Sequence, residues 1–172
     1  MLGMRSFGKG PSLHSELYSL HVSFLRDIAG KLSVPTAGFT VLIACDSEGL
    51  SSDEIRDCAK ALIAKGVVYV CCWGNGCERF HDILDEVWIT CGTEEKSSTV
   101  ASNSTLMTTW HDDESLDDAL WHLLFTAWPP AGDESAFYSI VAVSVNDINW
   151  ADQITSRLSD IRRFGDEMLE EG

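Results

Sequence analysis

The sequence predicts an α/β domain: a mostly parallel sheet of four or five strands with helices on both faces, three layers in all. Three observations predict it. Short apolar runs rich in strand-forming residues, "FTVLIAC" (39–45), "VVYVCCW" (67–73) and "YSIVAVSV" (138–145), lack the alternation of a half-exposed strand and so read as strands covered on both faces. Segments with apolar residues at helical spacing separate these runs. Serine and acidic residues stand where those segments begin, in patterns that close helix N-termini. Strands and helices in alternation imply crossover connections, and crossovers imply parallel strands.

The elements follow in order. Leu13, Leu17, Leu20, Phe24, Leu25 and Ile28 recur at helical spacing after Ser12 and predict an amphipathic helix over 12–30, closed by Gly30 and Pro35. The 39–45 strand comes next. Ser51-x-x-Glu54 has the form of a capping box, and Ile55, Cys58, Ala59, Leu62 and Ile63 carry a helix that Gly66 ends. After the 67–73 strand, Phe80, Ile83 and Leu84 mark a short helix beginning near Gly76. Residues 86–90, "EVWIT", can extend that helix or form a strand, and their β-branched content favours the strand. The polar stretch 92–104 reads as a long loop. "TLMTTW" (105–110) is a further strand. Ser115 and Asp118 cap a helix carrying Leu116, Ala119, Leu120, Leu123 and Leu124, stopped at Pro129-Pro130. The 138–145 strand then leads to a terminal helix capped by Asn149 with Asp152 and built on Ile154, Leu158, Ile161 and Phe164. The chain reads as a single domain over 1–172, with an N-terminal helix (12–30), a Rossmann-like core (38–165) and a fraying tail (166–172).

At 172 residues the chain holds one substantial core. The opening "MLGMRSFGKGPS" has no apolar signal region, and no run approaches eighteen apolar residues, so neither secretion nor a membrane span is expected. Of the six cysteines, Cys45, Cys58, Cys71 and Cys72 lie in apolar periodic segments, where a thiol behaves as a small hydrophobe; a reducing cytoplasm is expected. The net charge of −15 argues against binding to nucleic-acid phosphates, which needs a basic face. It suits a basic protein partner met through electrostatic steering, although solubility alone also accounts for it. The stripe of the first helix suits packing on the sheet or a homodimer.

In a parallel sheet, ligands settle beyond the carboxyl ends of the strands. Asp46 and Glu48 follow the first core strand, and Trp73, Asn75, Cys77 and Glu78 follow the second. Trp110, His111, Asp112, Asp113 and Glu114 follow "TLMTT", and Asn146 with Asp147 follows the last strand. These tips share one rim if the strands are parallel. Asp46, Glu48, Trp73, Asn75, Glu78, Trp110, His111, Asn146 and Asp147 are therefore the candidate ligand-binding residues. The acids have a plain structural account, because carboxylates at helix N-termini satisfy unpaired N–H groups and the helix dipole. Capping requires neither tryptophan nor histidine, so Trp73, Trp110 and His111 point more directly to a site, and the two indoles suit a flat ligand between them.

These residue types suggest several chemistries. Asp46, Glu48, Asp112 and Glu114 offer hard oxygen ligands, for which Mg²⁺ is the fitting cation. Cys72, Cys77 and His81 offer a zinc set, at a spacing that lacks the usual C-x2-C knuckle. Cys77 and His81, four residues apart on a helix, resemble a thiolate with its base, which with His111 makes them the candidate catalytic groups. "WGNGC" is neither a dinucleotide fingerprint nor a phosphate loop, and no complete catalytic motif is present. His14, His21 and His122 read as ordinary surface or helix residues.

"YVCCWGNGCERFHDILDEVW" and "LMTTWHDDESLDDALWHLLF" resemble an uncharacterised family of small bacterial Rossmann-like proteins, over roughly residues 38–148. The resemblance implies a bacterial stand-alone domain and carries no activity. Two functions are expected from the residues. The preferred one is a small acidic cytoplasmic binding protein, which recognises a small molecule or neutralises a basic partner in an immunity or defence role. The alternative is a metal-dependent hydrolase or transferase acting on a nucleotide-like substrate at the strand ends.

Overall fold

In the computed structural model, residues 3–94, 105–127 and 137–171 are described. The polar stretch from 95 to 104 and Pro129-Pro130, predicted as loop and helix stop, lie outside them. The elements run β1 (Arg5–Lys9), β2 (Ser15–Val22), a 3-10 turn (Leu25–Asp27), α1 (Ile28–Lys31), β3 (Gly38–Ala44), α2 (Ser52–Ala64) and β4 (Val67–Trp73). They continue with α3 (Cys77–Glu94), β5 (Met107–His111), α4 (Leu116–Phe125), β6 (Tyr138–Val145), α5 (Ile148–Ser159) and α6 (Ile161–Glu171). The strands form one six-stranded sheet in the order β1-β2-β6-β3-β4-β5. Among the described residues only the β1–β2 pair is antiparallel.

Alternating side chains send the central strands into two apolar clusters. Val41, Ile43, Val70, Cys72, Val141 and Val143 meet Ile28 of α1, Ile55, Ala59 and Leu62 of α2, and Phe80 and Leu84 of α3. Leu42, Ala44, Cys71, Ile140 and Ala142 meet Leu120 and Leu123 of α4, Ile154 and Leu158 of α5, and Phe164 of α6. The sequence's continuous apolar runs follow from this, since both faces of each central strand are covered. The capping boxes at Ser51/Glu54 and Ser115/Asp118 both form. The three helices of the second cluster are pinned by Arg157, whose guanidinium holds Asp117 of α4 through two nitrogens (2.6 and 3.2 Å) and Glu167 of α6 at 3.0 Å.

Five expectations are corrected. Among the described residues the sheet has six strands rather than four or five, because Arg5–Lys9 and Ser15–Val22, the latter within the predicted 12–30 helix, form strands β1 and β2. Leu17 and Leu20 fall on opposite faces of that strand, each into a different cluster, and two buried faces imitate the three-residue spacing of a helix. Only Leu25–Lys31 of that segment is helical. Residues 86–90 lie inside α3, where Leu84, Val87 and Cys91 continue the apolar face of Phe80 at helical spacing, and tertiary packing overrides β-branched propensity. That helix runs on through Glu94, so residues 92–94 are not loop. The last helix breaks at Asp160, and its continuation α6 includes 166–171, anchored by buried Phe164 and by Met168. Helix α5 is capped by Asp147, not Asn149: its carboxylate accepts from the N–H groups of Asn149 and Trp150.

The structure makes two leucines of one predicted helical stripe energetically unequal, because Leu20 lies within β2 and Leu13 precedes it. Leu20 is 1% exposed and Leu13 is 78% exposed. Leu20→Ala is expected to cost ~2–5 kcal/mol, and Leu13→Ala to stay within about 0.5 kcal/mol. Urea-unfolding midpoints measure both, and equal effects would contradict the burial of Leu20 and the exposure of Leu13.

Candidate functional site

Because β2, β6, β3, β4 and β5 are mutually parallel, Val22, Val145, Ala44, Trp73 and His111 end at one edge of the sheet. Strand order reverses there. From β3 the chain crosses through α2 to β4 on one side, and β6, which returns on the other side of β3, is followed by α5. Helix α2 packs into the first cluster and α5 into the second. The two adjacent tips therefore send their helices to opposite faces and leave a crevice between them.

That crevice has a volume of about 370 Å³ and is bordered by Phe24, Asp46, Glu54, Asn146, Asp147 and Trp150 among others. Each of its carboxylates uses one oxygen locally. Asp46 Oδ1 accepts from the Glu48 N–H (3.3 Å), Glu54 Oε2 from the Ser51 N–H and hydroxyl (2.9 Å each), and Asp147 Oδ1 from the Asn149 and Trp150 N–H groups (2.8 and 3.1 Å). The Ser51 bonds hold the Glu54 carboxyl below its ordinary range. Arg26, whose guanidinium lies 4.3 Å from the Phe24 ring centroid, is the neighbouring cation. Cys45 at the crevice base is buried, which with the adjacent Asp46 pushes its thiol up to about 12.

The wall from β3 to α2 is held rigidly. Cys45 N–H donates to the Trp73 carbonyl (3.0 Å) and Ser47 N–H to the Asn75 carbonyl (2.8 Å). Arg79 donates to the Ser47 and Leu50 carbonyls and to the Ser52 hydroxyl. This explains "WGNGC" structurally: a Cβ on Gly74 would lie 2.3 Å from the Cys45 carbonyl oxygen, at φ +111°, and one on Gly76 would lie 2.9 Å from Ser47 Oγ. Here the glycines allow two loops to touch.

The predicted site residues separate into groups. Asp46, Asn146 and Asp147 border the crevice. Trp73 stands one ring behind it, edge-on to Trp150 at 5.1 Å between centroids, with its indole N–H donating to the Glu114 carbonyl (2.9 Å). Asn75 serves the wall through its backbone, and Glu48 and Glu78 are exposed. Trp110 pairs with Cys72, whereas Trp73 pairs with His111, so the two indoles project from opposite faces of the sheet and do not enclose one ligand. Trp110 packs on His81 instead, at 4.6 Å.

Cys77 and His81 share α3 but not a hydrogen bond. His81 Nδ1 meets Asp82 (3.1 Å) and its Nε2 meets the Thr108 hydroxyl (3.0 Å). Burial raises the Cys77 thiol, opposite to the shift that activates a nucleophile. Among the described residues, neither Asp46, Glu48, Asp112 and Glu114 nor Cys72, Cys77 and His81 bring their ligand atoms within reach of one ion.

A different trio does converge. Cys71 of β4, His111 at the end of β5 and His122 of α4 each place one ligand atom within 4.8 Å of the others. His111 Nδ1 lies 2.7 Å from a Glu114 carboxylate oxygen and its Nε2 lies 3.1 Å from the Thr109 hydroxyl; His122 Nε2 lies 3.1 Å from the Tyr69 hydroxyl. A carboxylate only accepts, so Nδ1 of His111 carries the proton. Burial pushes the Cys71 thiol up to about 12 and, with neighbouring His111, lowers the basicity of His122. The sequence singled out His111 and passed over Cys71 and His122. Their signal is a register: Cys71 pairs with Thr109, two residues before His111 on the same face.

Residues 25–161 match the domain family DUF7684, described as a domain of unknown function, and the chain belongs to it. Among curated proteins none matches the chain.

Gly74→Ala is expected to lower stability by roughly 1–3 kcal/mol through backbone strain, whereas Gly49→Ala, whose Cβ meets nothing within 4 Å, should be tolerated. Chemical unfolding of the two variants decides it. His122 gives a second expectation. Its folded pKa lies below 6.5, so the unfolded chain takes up the proton first as pH falls. Stability from this residue is complete above 6.5 and declines below it until the folded pKa is reached. In EDTA-containing buffer the melting temperature should fall through that window, and His122→Gln should flatten the decline.

Proposed function

We propose that this member of DUF7684 is a binding domain that takes a small organic cation, an amine or guanidine on an apolar body, in the crevice between the tips of β3 and β6. The observation that carries the reading is the lining: three carboxylates, Asp46, Glu54 and Asp147, with two aromatic rings, Phe24 and Trp150, around about 370 Å³. That volume falls in the range of small-molecule pockets. Each carboxylate keeps a second oxygen without a partner among the described residues, and aromatic faces attract a desolvated cation. Arg26 offsets one of the three negative charges and leaves the crevice acidic. The net charge of −15 adds a long-range attraction for cations.

The same reading places the chain as non-catalytic. The Cys77 thiol is raised rather than activated, and His81 is engaged with Asp82 and Thr108. The apolar clusters on the two faces of the sheet support a three-layer, Rossmann-like description. The six free thiols, five of them buried, favour a reducing compartment such as the cytoplasm. No helix among the described residues is long and apolar enough to cross a membrane.

The test uses the fluorescence of Trp150 with phenethylamine, agmatine and spermidine as probes, and phenylethanol as the neutral counterpart of the first. At least one cation should change the emission saturably below about 1 mM, weaken with added salt, and bind roughly tenfold or more weakly to Asp46→Asn. Equal binding of phenylethanol, or no binding by any cation, overturns the reading. A melting-temperature rise with Mg²⁺ that Asp46→Asn abolishes would favour a metal-dependent hydrolase or transferase instead.

A further inference from the structure

We propose that Cys71, His111 and His122 form a binding site for one zinc-class transition-metal ion beneath helix α4. The site is independent of the crevice and of any ligand there.

The geometry is the first support. Three separate elements, β4, β5 and α4, deliver the three groups, and the ligand atoms already lie within 4.8 Å of one another. A tetrahedral ion with Zn–N near 2.0 Å and Zn–S near 2.3 Å needs ligand atoms about 3.5 Å apart. The ligand atoms therefore have to close by no more than about an ångström. The imidazoles already stand edge to face, with centroids 4.7 Å apart.

The surrounding hydrogen bonds are the second support. Glu114 fixes the proton of His111 on Nδ1, so Nε2 presents its lone pair. A carboxylate on the far nitrogen is the usual outer partner of a metal-bound histidine: it sets the ring's tautomer and raises the basicity of the ligating nitrogen. The Thr109 hydroxyl, 3.1 Å from Nε2, marks the direction that lone pair faces. His122 has the Tyr69 hydroxyl at 3.1 Å on its Nε2, so each ring is oriented by a polar neighbour.

The donor set decides the metal. One thiolate and two imidazoles are borderline-soft ligands that favour Zn²⁺ and Co²⁺ over Mg²⁺ and Ca²⁺. Three protein ligands leave one tetrahedral position open. Cys71 is fully buried and His111 nearly so, while half-buried His122 lies at the outer side and gives the ion a way in. Binding replaces the Cys71 S–H proton with the metal, and that proton leaves to solvent. A buried polar cluster held only by its own hydrogen bonds is the competing account.

The experiment uses the full chain, stripped with a chelator and titrated with Co²⁺ at neutral pH. The expected result is one equivalent bound, with a thiolate-to-cobalt charge-transfer band and the strong visible bands of a tetrahedral site, all removed by one equivalent of Zn²⁺. Cys71→Ser should abolish the charge-transfer band and His122→Gln should weaken binding roughly tenfold or more. Cys77→Ser and Cys91→Ser should leave the spectrum unchanged. If Cys71→Ser does not fold by circular dichroism, His122→Gln, altered at a half-buried helix position, carries the comparison. Absence of a stoichiometric spectrum from folded wild-type protein, its persistence in folded Cys71→Ser, full-strength binding by His122→Gln, or equal competition by Mg²⁺ each overturns the site.

Discussion

The insertion of β6 between β2 and β3 is the constraint on which the rest of the molecule depends. All eight of its residues are buried, and it hydrogen-bonds along its length to both neighbours. Its two serines are both paired, Ser139 with the hydroxyl of Thr36 just before β3 at 2.8 Å and Ser144 with His21 of β2 at 3.0 Å. Because the chain returns to this central position last, the helices after β3 and β6 must lie on opposite faces. The crevice is a consequence of that winding. Glu54 and Asp147 arrive there because α2 and α5 begin there, and helix beginnings attract acids, whereas Asp46 follows β3 and accepts from the Glu48 N–H within the loop. Capping occupies one oxygen of Glu54 and one of Asp147 and leaves the other of each without a partner among the described residues.

The parallel core was legible in the sequence because burial on both faces leaves a local mark. "FTVLIAC", "VVYVCCW" and "YSIVAVSV" contain hardly any polar residue, and the serines at 51 and 115 recur with their acidic partners three residues on. Strand β2 left a misleading mark. "SELYSLHV" alternates imperfectly, because its two faces meet different clusters and its edges are filled by β1 and β6, more than a hundred residues apart in sequence. Periodicity records how much of a segment is buried and does not record against what. The "EVWIT" segment failed for a related reason: its residues favour a strand, yet they complete a helical face that Phe80 and Leu84 begin.

Legibility of the candidate sites differs in the same physical terms. Asp46, Asn146 and Asp147 could be found because strand tips follow from strand assignment and parallel order. Cys71 and His122 could not, because a thiol within an apolar strand and an imidazole within a helix are each unremarkable alone. Only the pairing of Cys71 with Thr109, and the docking of α4 over that pair of strands, makes them neighbours of His111. Sequence spacing reveals metal ligands when they share one element or one turn, as in a C-x2-C knuckle; ligands from three elements leave no spacing to read.

The segment from Trp110 to Asp118 shows how strongly geometry divides residues that composition groups together. Trp110 and His111 are adjacent on a strand, so one packs on His81 and the other turns into the opposite face. The chain then reverses through Asp113 at φ 57°. Beyond that turn the acids have separate tasks: Glu114 orients His111 and receives the Trp73 indole, Asp117 holds Arg157, and Asp118 closes the helix with Ser115. A single strip of acid and aromatic residues therefore does not make a single site. It supplies His111 to the buried trio, the Glu114 carbonyl that receives the Trp73 indole behind the crevice, and the cap of α4. Glu114 belongs to both neighbourhoods, because its carboxylate faces the imidazole while its backbone carbonyl faces the indole. Its position is set by β5 and by the start of α4, so the packing of that helix, rather than any one acidic side chain, keeps the two neighbourhoods in register.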